Sequence, residues 1–162
     1  MREQFDTYIT LRYLLKLLLG LLIKEHKLYD KIVKYISYEE NREIFEIYAS
    51  ELDEDYNLLN ECESIQPKIL NSFADKKQAE IAEELVELIK QSLTEQKKMA
   101  KKIRDINDSH DLIKAIFSRM FSVDYLINRV NITLAQVEFK IDTAELGKKQ
   151  IECLSSLIKV KT

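Results

Sequence analysis

Few residues in this chain are of the kinds that interrupt helices. Its 162 residues include two glycines, one proline and no tryptophan. Glycine and proline are the usual residues of turns between strands, and no segment alternates apolar and polar residues with a period of two. The composition therefore argues against a β-rich fold. It predicts one all-α domain over residues 1–162, in which 46% apolar residues supply the core.

Cysteine and net charge are also low. The two cysteines, Cys62 and Cys153, fall on apolar faces of predicted helices, so we expect reduced thiols, with a disulfide as the alternative. A net charge of −3 and a pI near 5.6 argue against a dedicated nucleic-acid binder. The chain has no glycine-rich phosphate loop and no recognisable nucleophile arrangement. We therefore expect no catalytic residue and no cofactor.

The longest apolar run extends from Ile9 to Ile23 and is interrupted by Arg12 and Lys16. A membrane crossing needs about 20 apolar residues, and no small-residue cleavage site follows the run. We therefore expect a cytoplasmic protein without a membrane segment. A helix that is apolar on most sides must be covered on more than one face, which indicates the middle of a bundle or a homodimer contact. We predict a homodimer or larger homo-oligomer. The predicted contact is formed by Leu11, Leu14, Leu18 and Leu21.

Apolar residues recur every three or four positions along most of the chain, which is the helical period. Helices are predicted over about 3–36, 39–64, 74–106 and 110–139, followed by a short fifth helix over about 143–159. Ser37 and Tyr38 form the first turn, Pro67 marks the central break, and Asn107 to Ser109 supply a turn and a helix cap. Asp142 or Thr143 is expected to cap the fifth helix. The predicted fold is an antiparallel four-helix bundle of two helical hairpins plus this C-terminal helix.

Two acids, Glu25 and Asp55, lie within these apolar stripes. A carboxylate in such a position is either hydrogen-bonded by a neighbour or chemically useful. We expect Glu25 and His26 to form a partly solvated polar layer of the bundle that also contains Ser92 and Gln96. Asp55 and Asp124 are expected to bind a tyrosine hydroxyl, to pair with a lysine or to lie at the edge of the bundle.

The first hairpin resembles the rubrerythrin-type ferritin-like bundles. Tyr29 matches a tyrosine of that family's first helix, and Phe45 and Ala49 match its phenylalanine and alanine at the family's spacing. The resemblance implies a ferritin-like bundle in which glutamates and histidines hold metal. The corresponding positions of this chain are Leu22, Leu52, Asp55, Gln91, Phe121 and Asp124. Only the two aspartates among them are carboxylates, and none is a histidine. We accordingly expect Leu22, Leu52, Met120 and Phe121 to pack in the core.

Two hypotheses for the function follow. The first is a non-catalytic helical bundle that acts through contacts with an unknown protein partner. The alternative is a degenerate ferritin-like protein that binds iron or another divalent metal through carboxylates alone. Helix geometry places Glu25 and Asp55 at different levels of the first hairpin, which favours the first hypothesis. The candidate ligands of the alternative are Glu25, Asp55, Glu95 and Asp124.

A basic run in the third predicted helix is a candidate docking face. Lys97, Lys101 and Arg104 lie along one side of that helix, where an acidic partner protein could bind. The alternative is a solvated face with ion pairs between neighbouring turns. Nucleic acid is a poor fit, because no aromatic residues alternate with the basic ones.

Overall fold

The computed structural model describes residues 2–36, 42–64 and 76–161. They form four helices: α1 (Arg2–Ile36), α2 (Arg42–Ser64), α3 (Lys76–Asp105) and α4 (Ser109–Lys161). No strand occurs in these ranges, which confirms the predicted all-α class. None of the described helices has the length and apolar content that crossing a bilayer requires. The predicted turn at Ser37 and Tyr38 and the break at Pro67 lie outside the described residues.

The four helices pack as a bundle. α1 packs mainly against α4, and α2 packs mainly against α3. Contacts of α1 with α2 and of α3 with α4 complete the ring, so α2 and α4 stand at opposite corners without touching in the described ranges. Along the α1–α4 pair, Arg12 contacts Glu138 and Glu25 contacts Arg119. Residue numbers thus rise along α1 as those of its partner fall.

The core follows the predicted stripe of α1. Apolar side chains at steps of three and four residues are fully buried there, including Leu15, Leu22 and Ile32. The leucines expected to contact a second chain are also buried, because α1 touches all three other helices of its own chain. The reason for expecting self-association through this helix is therefore removed. These leucines are Leu11, Leu14, Leu18 and Leu21.

The turn before α4 forms as predicted. Residues 106–108 are not helical, and the Asp108 carboxylate accepts hydrogen bonds from the backbone N–H groups of His110 and Asp111 at 2.8 and 3.2 Å. These bonds satisfy donors that the first turn of a helix leaves without a partner. Asp108 is therefore the N-cap of α4.

The predicted fifth helix is wrong, because α4 continues without a break through residues 140–143. The Thr143 hydroxyl donates a hydrogen bond to the Phe139 carbonyl at 2.8 Å, one turn earlier in the same helix. Neither Thr143 nor Asp142 acts as a cap. The segment between the two predicted helices contains no proline or glycine, so nothing in it stops the helix.

The expected core positions are right in the first hairpin and partly wrong in the second. Leu22 and Leu52 are fully buried, as predicted. Met120 is only partly buried, and Phe121 is 76% exposed. The reason is that Arg119 occupies the inward position of this turn, and a residue two places later points about 200° away. Phe121 is therefore a surface residue.

Candidate functional site

The most distinctive site of the bundle is a buried ion pair between α1 and α4. Glu25 continues the inward stripe of α1 and is fully buried, and the Arg119 side chain is only 3% exposed. The Arg119 Nε donates to Glu25 Oε2 at 2.8 Å, and its Nη2 donates to Oε1 at 3.1 Å. Two parallel charge-assisted hydrogen bonds make this a strong and geometrically specific contact.

Two further side chains complete this site. The Tyr29 hydroxyl donates to Glu25 Oε2 from one turn along α1, and the Gln96 amide donates to Oε1 from α3 at 2.9 Å. We call these four residues, Glu25, Tyr29, Gln96 and Arg119, the Glu25 cluster. Gln96 thus belongs to the predicted polar layer, but the layer is buried and not partly solvated, and His26 lies against the surface residue Asp124 instead. Ser92 is buried nearby, but its hydroxyl donates to the Leu88 carbonyl of its own helix.

The charges of the Glu25 cluster balance. Burial acts to lower the pKa of Arg119, but hydrogen bonding and attraction from Glu25 outweigh it and leave that pKa raised. Burial, the charge of Glu25 and the hydrogen bond to it raise the pKa of Tyr29 well above its usual value. Arg119 therefore stays charged and Tyr29 stays neutral. These directions suit a structural ion pair.

Sequence reasoning found Glu25 and Gln96 but missed Arg119. The signal was present in the spacing, because Arg119 lies three residues after Ile116 and four before Val123, both fully buried. A cation in such a stripe is the natural counterpart of an acid in another. The amide oxygen of Gln96 is the one buried side-chain polar atom without a hydrogen bond in the described ranges.

Asp55 forms a second, separate ion pair. Its Oδ1 lies 3.0 Å from Lys24 Nζ; the Asp55 side chain is buried, whereas that of Lys24 is half exposed. The hydrogen bond to Asp55 raises the pKa of Lys24. Burial raises the pKa of Asp55; Lys24 opposes this effect, and the net shift is upward. The predicted pairing of Asp55 with a lysine is confirmed.

Replacing Asp55 by asparagine should therefore cost little stability at neutral pH. A carboxyl group whose pKa is raised on folding lowers stability as the pH rises from about 4, because the folded chain holds its proton more tightly than the unfolded chain. The Asp55→Asn variant should therefore lose less stability between pH 4 and pH 7 than the wild type. Urea unfolding at pH 4 and pH 7 measures this difference, with Glu54→Gln, an exposed acid of α2, as the control. A larger drop between the two pH values in Asp55→Asn than in the wild type would contradict this prediction.

The other two candidate ligands lie on the surface. Asp124 Oδ1 lies 3.2 Å from His26 Nε2, and Glu95 pairs with Lys98 at 3.5 Å. The four acids thus lie at four separate places and share no partner. Nowhere in the described ranges do three or more His, Cys, Asp or Glu side chains form a group that could hold a metal ion.

The positions equivalent to ferritin-like ligands do not fit a metal centre. Leu22 and Leu52 place apolar side chains in the core. Gln91, Phe121 and Asp124 face solvent, so they cannot meet Asp55 at one level of the bundle. Within these positions, only Asp55 is both buried and able to donate oxygen ligands.

The predicted docking face divides into two parts. Arg104 points toward α2, where it binds Glu46 at 3.0 Å and Asp53 at 2.7 Å, so it does not form part of a free basic face. Lys97 and Lys101 line a groove of about 570 Å³ between α2 and α3. The Lys97 ammonium lies 5.9 Å from the ring centre of Tyr56, on the opposite side of that groove. Lys90 and Lys98 add to its positive charge.

An exposed apolar face of α4 is the feature that sequence reasoning missed. Phe139 is 67% exposed, and further large apolar side chains on the same helix are exposed before and after it. Of these residues, Phe121 was predicted to pack in the core, and Ile151 and Leu154 belong to the predicted fifth helix. The exposed set includes Phe117, Phe121, Tyr125, Ile132, Leu146, Ile151, Leu154 and Leu157.

Comparison of the chain with protein-family models, curated proteins and solved structures found no match.

Proposed function

We propose that this protein is a non-catalytic helical bundle that acts through protein–protein contacts. The observation that carries the proposal is the C-terminal part of α4. Ile141 is the last buried residue of the described chain. Residues 142–157 continue the helix, and all of them are exposed except Gly147, which is partly exposed. We call residues 142–157 the α4 extension.

The α4 extension is too apolar for an isolated helix surface. Leu146, Ile151, Leu154 and Leu157 are each more than half exposed within it. Because these side chains are exposed, they do not stabilise the fold of a single chain. A short helix without tertiary packing is itself only marginally stable in water. Exposed apolar surface of this kind is typical of sites where another protein binds.

The lysine-lined groove between α2 and α3 is a second candidate contact. Lys90, Lys97 and Lys101 border it, and Leu93 and Tyr56 provide apolar surface. An acidic segment of a partner protein with an apolar side chain matches this chemistry.

A free exposed thiol at Cys153 fits a reducing compartment such as the cytoplasm.

We further propose that the first hairpin keeps a ferritin-like, antiparallel packing without the metal ligands. Tyr29, Phe45 and Ala49, the residues that carry the resemblance, are all buried. The Glu25–Arg119 ion pair then balances the charge of a buried carboxylate that a metal ion would otherwise balance. The degenerate metal protein remains the alternative.

Photo-crosslinking from the α4 extension tests the protein-contact proposal. A photoreactive amino acid at Leu146 should capture protein when the chain is expressed in its own cells. The matched control is Ile47 on α2, which is exposed to the same extent, 58%, and lies on a helix that does not touch α4. The expected result is a discrete crosslinked product from position 146 that is absent from position 47.

Equal labelling from the two positions, or none from either, would contradict the proposal. Circular dichroism of both variants shows whether the bundle remains folded. The captured chain is identified by mass spectrometry, which distinguishes a second copy from a different protein.

A further inference from the structure

We infer that the partner of α4 is a second copy of this chain, whose α4 lies alongside in the same direction and the same register. The inference rests on the proposed function, since it names the partner in that contact. It is carried by a row of positions that alternate four and three residues apart from Ile132 to Leu157. We call this row the α4 seam; every one of its positions is exposed.

The α4 seam contains a strict seven-residue repeat. Ile132, Phe139, Leu146 and Cys153 are each seven residues apart, and all four are exposed. Apolar residues at this spacing are how one long helix packs along another, because a slight supercoil keeps them on the shared side. In the described chain no other helix covers this side of α4. The repeat therefore indicates that the missing partner is a helix.

The seam is also free of charge. One third of the chain is charged, and seven charged residues lie between positions 138 and 152 of α4, yet none of them occupies the seam. The polar positions of the seam are Gln136, Thr143 and Gln150, all uncharged. Charged residues are common on a solvated helix face, but they are costly on a face that packs against another helix, because packing would bury them.

The order of apolar and polar positions selects a second copy in parallel. Glutamine side chains both donate and accept hydrogen bonds, so Gln136 and Gln150 can each bind the same residue of an identical chain. Two parallel, in-register α4 helices bring Phe139 to Phe139 and Gln150 to Gln150 of the other copy. Opposite directions would place Thr143 against Leu146 instead. Polar residues at such positions are known to fix register.

The surface involved extends far enough along the helix for a dimer contact. Exposure of the large apolar seam residues ranges from 45% at Ile132 to 67% at Phe139. The seam spans about 38 Å of helix at about 1.5 Å per residue, and packing along this length buries surface toward the roughly 800 Å² per copy of a usual stable interface.

Cys153 provides a direct probe of the arrangement. In the parallel, in-register pair its thiol faces the same thiol of the other copy, so oxidation by copper phenanthroline should join the chains through a Cys153 disulfide. The control exchanges two residues, Cys153→Ser with Ser155→Cys, and moves the thiol about 200° around the helix. We expect disulfide formation to be at least about tenfold slower in the exchanged variant, with the bond located by mass spectrometry.

Sedimentation equilibrium measures the assembly without a chemical probe. The wild type should have twice the 19.1 kDa mass of the chain at micromolar concentration. Leu146→Glu places two charges in the seam and should raise the dimer dissociation constant by at least about tenfold. Ile47→Glu, at an equally exposed position of α2, should leave it unchanged.

A monomer at high micromolar concentration would overturn the inference, and so would a dimer that Leu146→Glu does not weaken. A dimer in which Cys153 and the displaced cysteine react equally fast would overturn the parallel register. If the chain is monomeric while a photoreactive group at position 146 captures a different protein, this inference fails and the proposed function stands. If that group captures nothing, both fail.

Discussion

Arg119→Met should lower the free energy of unfolding by about 3 to 5 kcal/mol, the usual loss when one member of a buried ion pair is removed. Glu25 would then be a fully buried carboxylate without its cation. Methionine fills a similar volume, so the loss of packing is a small part of the effect. Urea denaturation at neutral pH measures the change.

The double variant Glu25→Gln with Arg119→Met separates charge from packing. Glutamine keeps one oxygen, which can accept from Gln96, and its amide N–H can donate to the Tyr29 hydroxyl oxygen; it also removes the unbalanced charge. Most of the stability lost in Arg119→Met should therefore return, since buried ion pairs can often be replaced by neutral groups at little cost. A loss below about 1 kcal/mol in Arg119→Met, or a double variant less stable than the single one, would contradict the buried ion pair.

Leu52→Ala should destabilise the protein by about 2 to 5 kcal/mol, the range for truncating a fully buried leucine. The loss combines the transfer of apolar atoms with the cavity that remains between the helices. Leu58→Ala on the same helix is the matched control, because that leucine is 48% exposed and should change stability by less than about 0.5 kcal/mol. Similar losses for the two variants would show that α2 does not present Leu52 to the core.

The sequence predicted the helices well because apolar periodicity is a local property of each helix. The stripe of α1 from Leu11 to Ile32 and that of α3 from Ala82 to Ile103 are buried as expected. The rotation of α4 about its axis was less predictable. Its apolar residues cover two sides, one facing the core at Val123 and Val130 and one facing solvent at Phe121 and Phe139. Periodicity alone does not say which side has a partner in the same chain.

The polar site was half predictable for a related reason. Glu25 stood out because it interrupts an apolar stripe, and Gln96 stood out in the same way. The contact with Arg119 joins residues 94 positions apart, and only the packing of α1 against α4 brings them together. The continuation of α4 past residue 139 was missed because Asp142 and Thr143 are common capping residues. Such residues favour a helix end but are also tolerated inside a helix, where their side chains face solvent or bind the backbone one turn earlier.

Elemental analysis of protein purified without a histidine tag most directly separates a structural role of the buried acids from a chemical one. A di-iron centre in a four-helix bundle draws on about four carboxylates and two histidines at one level. Here Glu25 is bound by Arg119, and Asp55 is bound by Lys24. The predicted result is no stoichiometric iron or other transition metal, and no oxidase or peroxidase turnover. A content close to two metal ions per chain, lost when Asp55 and Asp124 are both changed to alanine, would contradict the non-catalytic bundle and establish a carboxylate metal site in its place.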